Sequence, residues 1–215
     1  MTGYSYSQIM VYTLLASMVS HLVYTGFEYQ VNEDIKNGGL NKYLVKPVNY
    51  RSYQFFSFLG EKAPQLLILL AVAAALLIFS VAVLGLMLSF PRVLAFLVSL
   101  ILALVLNFFI FYCVALISFW LTDVNLLFGT VSVVLVVVSG GVFPMDIFGE
   151  RIAFAVNLLP FGYTTQFPVN IINGRFGLKE TGAGFLCQIF WICCFGMLAE
   201  ILWKRGLKRF TAVGG

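Results

Sequence analysis

The sequence predicts an all-α integral membrane protein: about five transmembrane helices, a short amphipathic helix on the cytoplasmic side, and an external re-entrant helical element. Three observations predict it. Of the 215 residues, 61% are hydrophobic and only 10% charged, with a mean hydropathy of +0.97. A soluble domain is about half apolar and about a quarter charged, and a chain of this size has no core large enough to hide the excess. Apolar runs of spanning length follow one another, each needing about 20 residues to cross a bilayer. The charges are gathered into a few blocks between those runs, none long enough to fold alone, so residues 1–215 form one membrane domain.

The first span covers Ser7 to Phe27, with His21 inside it. A polar block follows over 28–62. Residues 63–91 carry no charge, and "PQLLILLAVAAALLIFSVAVLGLMLSF" is the clearest span. Pro64 suits the first turn of that helix, where no backbone donor is missed. "PRV" at 91–93 is expected to make a tight hairpin. A third span runs from Leu94 to Leu121, Asp123 and Asn125 mark a turn, and a fourth span runs from Leu126 to Val142, ending at "SGGVFP".

Residues 144–180 are apolar over 152–172 yet interrupted by Pro160, Gly162, Pro168 and Gly174. Proline removes a backbone donor and clashes with the preceding turn. A lipid-exposed break would strand polar backbone groups. This region is therefore expected to be a re-entrant or interfacial helical pair packed on the protein. The last span, Ala183 to Trp203, closes in "KRGLKRF", where Glu200 and Lys204 are spaced to pair. A tail follows over 204–215.

Lys36, Lys42, Lys46, Arg51, Lys62, Lys204, Arg205, Lys208 and Arg209 fall on one side of this arrangement, and Arg92, Arg151, Arg175 and Lys179 on the other. The excess of basic residues marks the cytoplasmic face. Block 28–62 and the C-terminus then lie inside, and five spans leave the N-terminus outside. The net charge of +4 serves orientation rather than nucleic-acid binding. The four cysteines all lie in apolar runs and read as small hydrophobes, without disulfide or zinc-ligand spacing.

Within the polar block, Ile35, Leu40, Tyr43, Leu44 and Val48 are apolar, and Leu40, Tyr43 and Leu44 share one helical face. Gly38 and Gly39 precede that face, and Pro47 ends it. Two readings stay open on these residues alone: an interfacial helix with snorkelling lysines, or a knob that docks a protein. Glu28 is expected to be solvated at the membrane edge.

The run "EDIKNGGLNKYLVKPVNYRSYQFFSFLG" resembles the cytoplasmic loop of ABC-2-type exporter permeases, with Asp34-Ile35, Gly38/Gly39, Leu40, Leu44 and Lys46-Pro47 in the expected order. The ending "ILWKRGLKRFTAVGG" is similar to the basic Gly-Leu-basic finish of one subgroup. "SGGVFPMDIF" and "LLPFGYTTQFPVNIINGRF" resemble its external break and re-entrant element. Such permeases have six spans and a cytoplasmic start, so this chain reads as lacking the first span.

The resemblance implies a mechanism. A permease dimer, of like or related subunits, binds two ATPases in the plasma membrane. The loop forms a coupling helix seated in a groove of the ATPase, with Leu40, Tyr43 and Leu44 as the knob, Lys46 and Pro47 fixing its end, and Asp34-Ile35 leading into it. Gly140, Gly141, Pro144, Pro160, Phe161 and Pro168 would form the external gate. ATP and magnesium would be bound by the partner, because this chain has no GxxxxGK[ST] phosphate loop and no cofactor site of its own. The cargo would be amphipathic or hydrophobic.

No nucleophile–base pair or intramembrane carboxylate pair supports catalysis here. His21 is expected to hydrogen-bond across helices rather than handle cargo or protons. The 22 Phe residues are expected mainly to face lipid. An ATPase-independent secondary transporter or channel would need a charge relay or a polar pore stripe, and the sequence displays neither. A non-transporting assembly scaffold is the other alternative.

Overall fold

A computed structural model of the chain describes residues 6–84, 90–121, 124–145, 149 and 158–210. Among those residues every regular element is a helix, and there is no strand. Helices α1 (Tyr6–Val23), α2 (Phe27–Lys36) and α3 (Asn41–Leu44) lead into the long α4 (Tyr50–Leu84). Helix α5 (Phe90–Leu116) is continued by a 3-10 turn over Ile117–Phe119, and α6 covers Asn125–Val138. A second 3-10 turn (Phe161–Tyr163), the short α7 (Gln166–Ile172) and α8 (Leu178–Leu207) complete the order.

Among the described residues, two 30-residue helices are long and apolar enough to cross a membrane, Phe90–Phe119 and Leu178–Leu207. At 1.5 Å per residue each is about 45 Å long. They run parallel, because their contacts advance in step: Ser99 meets Gln188, the Cys113 thiol donates to the Phe195 carbonyl, and the Phe119 ring meets that of Trp203. Half of the apolar window of α5 is buried against 11% of that of α8. Thus α5 is the central post and α8 lies at the periphery.

Phe108 sits at the middle of the post, fully buried. The rings of Phe27, Phe55, Phe58 and Tyr112 surround it at 4.9–5.8 Å. Edge and offset arrangements of this kind add to the burial of the rings themselves. Phe27, Phe58, Phe108 and Phe111 are therefore interior residues, correcting the expectation that the phenylalanines mainly face lipid. Cys113 is buried, whereas Cys193 is exposed, so the cysteines are not uniformly interior.

Other expectations also change. Pro64 lies inside α4 rather than in its first turn. The helix starts at Tyr50, well before Pro64, so the proline falls in its interior and removes one backbone donor there. Pro91 and Arg92 belong to the first turn of α5, not to a hairpin, since a proline there forfeits no helical bond. The fourth expected span is shorter than 126–142: α6 has 14 residues, about 21 Å of helix against a hydrocarbon core of about 30 Å. Residues 28–62 are not one loop, because α4 starts at Tyr50. Arg151, Asp123, part of the re-entrant region and the end of the tail lie outside the described residues.

Candidate functional site

The segment between α2 and α4 is built around Asp34. Asp34 is buried, 6% exposed. The Tyr50 hydroxyl donates to Asp34 Oδ2 at 2.8 Å, and Lys42 Nζ lies 3.6 Å from Oδ1. The Leu40 amide donates to the Asp34 carbonyl at 2.8 Å. Gly39 is needed here: a Cβ at that position would stand 2.4 Å from Asp34 Oδ1. Gln54 Nε2 donates to the Tyr50 oxygen at 2.9 Å, so the hydroxyl is held from both sides. Burial first, then the bond to Asp34, pushes the Tyr50 hydroxyl far above its ordinary pKa. It stays protonated and remains the donor.

The sequence-predicted residues separate into two sets. Asp34, Ile35 and Leu40 are buried, with Leu40 fully enclosed. Leu40 is thus the floor of the loop and not the tip of a knob. Tyr43 is half-buried, its ring 4.9 Å from those of Tyr50 and Tyr53, with Lys42 Nζ 4.8 Å from its centroid. The outward set is Leu44, Lys46 and Pro47, joined by Val45 and Val48. Val45 is 81% exposed, and neither periodicity nor the resemblance singled it out. The helix is a single turn, Asn41–Leu44, so the apolar face expected of it has only Leu44 and its successors to present.

This loop is fastened to the end of α8. The Tyr50 and Trp203 rings stack at 5.4 Å and 10°. Arg51 Nη1 donates to Glu200 Oε2 at 2.9 Å, while Lys204 pairs with Oε1 at 3.2 Å, the pairing expected from their spacing.

At the opposite end of the bundle, α6 stops at Ser139. Gly140 has φ +77, a conformation that L side chains rarely adopt, and the Tyr12 hydroxyl donates to its carbonyl at 2.8 Å. Gly141 is also buried, and a Cβ on it would stand 2.7 Å from the Ser20 hydroxyl. The Gln166 amide donates to the Ser139 carbonyl at 2.9 Å, tying α7 to this break. Pro144, Pro160 and Pro168 are buried and Phe161 half-buried. Every residue of α7 is buried, so this segment packs against the rest of the bundle.

Sequence reasoning missed Gln188. This fully buried side chain on α8 donates through Nε2 to the Ser99 and Tyr163 carbonyls at 3.1 and 2.9 Å, and its Oε1 accepts from the Ser99 hydroxyl at 3.3 Å. It pins α8 to α5 and to the turn before α7. A lone amide inside an apolar span was the available signal. His21, by contrast, is exposed and lines a cavity of about 530 Å³ with Ser17 and Gln65. Glu28 is not solvated but fully buried.

These features define a helical membrane protein with a braced loop between α2 and α4 and a packed, proline-broken element before α8. The chain belongs to the ABC-2 family of transporter proteins, whose family model, "ABC-2 family transporter protein", matches residues 1–214. No curated protein and no solved structure matches it.

Proposed function

We propose that this chain is the membrane-spanning permease subunit of an ATP-driven exporter. It works as a dimer with itself or a related permease, and two separate ATPase subunits supply ATP and magnesium chemistry. The cargo is amphipathic or hydrophobic. The C-terminus and the α2–α4 loop face the cytoplasm, the N-terminus lies outside, and five spans cross the plasma membrane.

The observation that supports this reading best is the exposed Leu44-Val45-Lys46-Pro47-Val48 tip resting on a rigid, buried base. A few aliphatic anchors are enough to dominate a docking surface. The base is joined to α4 by Tyr50 and to α8 through Trp203 and Glu200, so a push on the tip loads two spanning helices together. The break at Ser139–Pro144 and the Pro160–Pro168 element form the external gate in this scheme.

The test is copurification of the chain with candidate ATPases, followed by Val45→Asp and Leu44→Asp. Both sites are exposed, so the fold survives the change. Loss of ATPase association and of ATP-dependent transport is the expected result. Association and transport at the original level in both variants would remove the docking role. Transport that persists without any ATPase would favour the secondary-transporter alternative.

A further inference from the structure

Glu28, in the first turn of α2, is the charge that the bundle hides most completely. Its side chain has no solvent exposure, and neither carboxyl oxygen has a hydrogen-bond partner among the described residues. The Thr25 hydroxyl acts on it but stands outside hydrogen-bond geometry and is itself unpaired. Lys62 on α4 is the cation that acts on Glu28, yet no ion pair joins them. Lys62 Nζ donates instead to Gln65 Oε1 at 3.0 Å.

A carboxylate stripped of water with no partner is among the costliest arrangements in a protein interior, and a protonated carboxyl avoids that cost. We propose that Glu28 is a proton-binding site: it holds a proton in this conformation, and gives it up to water when Lys62 swings from Gln65 to form an ion pair with the carboxylate. The step balances: the Glu28 O–H bond breaks, one proton passes to solvent water, and the ammonium of Lys62 takes over as the compensating charge. Because Glu28 stands on the helix that leads into the α2–α4 loop and Lys62 on the helix that leaves it, proton loss would draw α2 toward α4. This inference does not rest on ATPase docking.

Titratable and charged groups reach Glu28 from several neighbouring elements. α1 brings the exposed His21, and the link after it brings Tyr24. α2 itself carries Tyr29, Glu33, Asp34 and Lys36. α4 adds Glu61 beside Lys62, and α5 adds Tyr112 and Cys113. α6 and the 3-10 turn at Ile117–Phe119 bring no titratable side chain. Burial pushes the Glu28 carboxyl up, only partly opposed by backbone, Thr25 and Lys62.

The experiment is infrared spectroscopy of the full chain in nanodiscs over a pH series. At neutral pH the wild type is expected to show a protonated-carboxyl C=O band that shifts in heavy water. Glu28→Gln should abolish it, and Glu33→Gln, at an exposed position, should leave it. Lys62→Gln should move the titration of the band to higher pH, since the cation that favours the charged form is gone. Absence of the band at neutral pH, or its survival in Glu28→Gln, overturns the proposal. If Glu28→Gln does not fold, the Lys62→Gln titration decides, and an unmoved midpoint is fatal to the exchange with Lys62.

Discussion

Replacing Tyr50 with phenylalanine removes one oxygen atom and keeps the ring that stacks on Trp203. That oxygen donates to a buried carboxylate at 2.8 Å and accepts from the fully buried Gln54 at 2.9 Å. A hydrogen bond to a charged group contributes about 1.5–3 kcal/mol, and a buried donor left without a partner costs about 1–3 kcal/mol. Some of this is recovered by water entering beside Asp34, so about 2 kcal/mol is a reasonable net loss, borne by the loop. At about 1.4 kcal/mol per tenfold, the loop opens roughly 30 times more often. Hydrogen–deuterium exchange on the purified chain reads this directly. The amides of Leu40, which donates to the Asp34 carbonyl, and of Tyr43 and Leu44, which donate to the Leu40 carbonyl, should exchange faster by that factor. Amides in the middle of α8 should not change. Unaltered exchange at these three amides would refute Asp34–Tyr50 as the brace of the loop, whatever happened to transport.

Two further outcomes follow. Gln188→Leu removes the side-chain donor that reaches the Ser99 and Tyr163 carbonyls. Interhelical bonds in membranes contribute only about 0.6 kcal/mol on average and up to about 1.7. A loss of about 1–2 kcal/mol for the set should lower the melting temperature in detergent and raise proteolysis near Tyr163, and an unchanged melting temperature would count against the pin. Glu28 has a folded-state pKa raised by burial, so its stabilising contribution is complete below the ordinary carboxylate range and is lost as pH rises through the raised value. Wild type should therefore lose stability over that window relative to Glu28→Gln, and parallel melting curves across pH would contradict it.

Legibility of the sequence depended on which physical term set each feature. Membrane class and the apolar α5 and α8 followed from composition and length, which burial in lipid dictates directly. The buried packing of α7 followed from its prolines, because a broken helix cannot face lipid. The direction in which Leu40 points did not follow. Its spacing with Tyr43 and Leu44 placed all three on one face, but the helix lasts one turn, and the Asp34 carbonyl that holds the Leu40 amide draws that residue inward. Glu28 reads as an edge charge because it follows the apolar run in sequence, but separation along the chain is not distance from the core. The break after Val23 lets the chain restart at Phe27 and pack α2 against α5, carrying Glu28 inside. Gln188 went unnoticed because an uncharged amide barely alters hydropathy.

In the proposed mechanism the difference in burial between the two long helices decides which one moves. Displacing α5 would disturb the Phe108 cluster and the packing of half its apolar window, and close-packed interiors resist such shifts. Only 11% of the window of α8 is buried, so its displacement disturbs less of the core, at the cost of the Gln188 bonds to Ser99 and Tyr163. α8 also carries two attachments: Trp203 and Glu200 to the α2–α4 loop, and Gln188 to the turn before α7. A continuous helix between them is stiff over some 15 residues, about 23 Å. In that scheme a load entering at Val45 would travel along α8 to Tyr163, α7 and the Ser139–Gly140 break, and the Gln188 pin to α5 is the contact it would have to release.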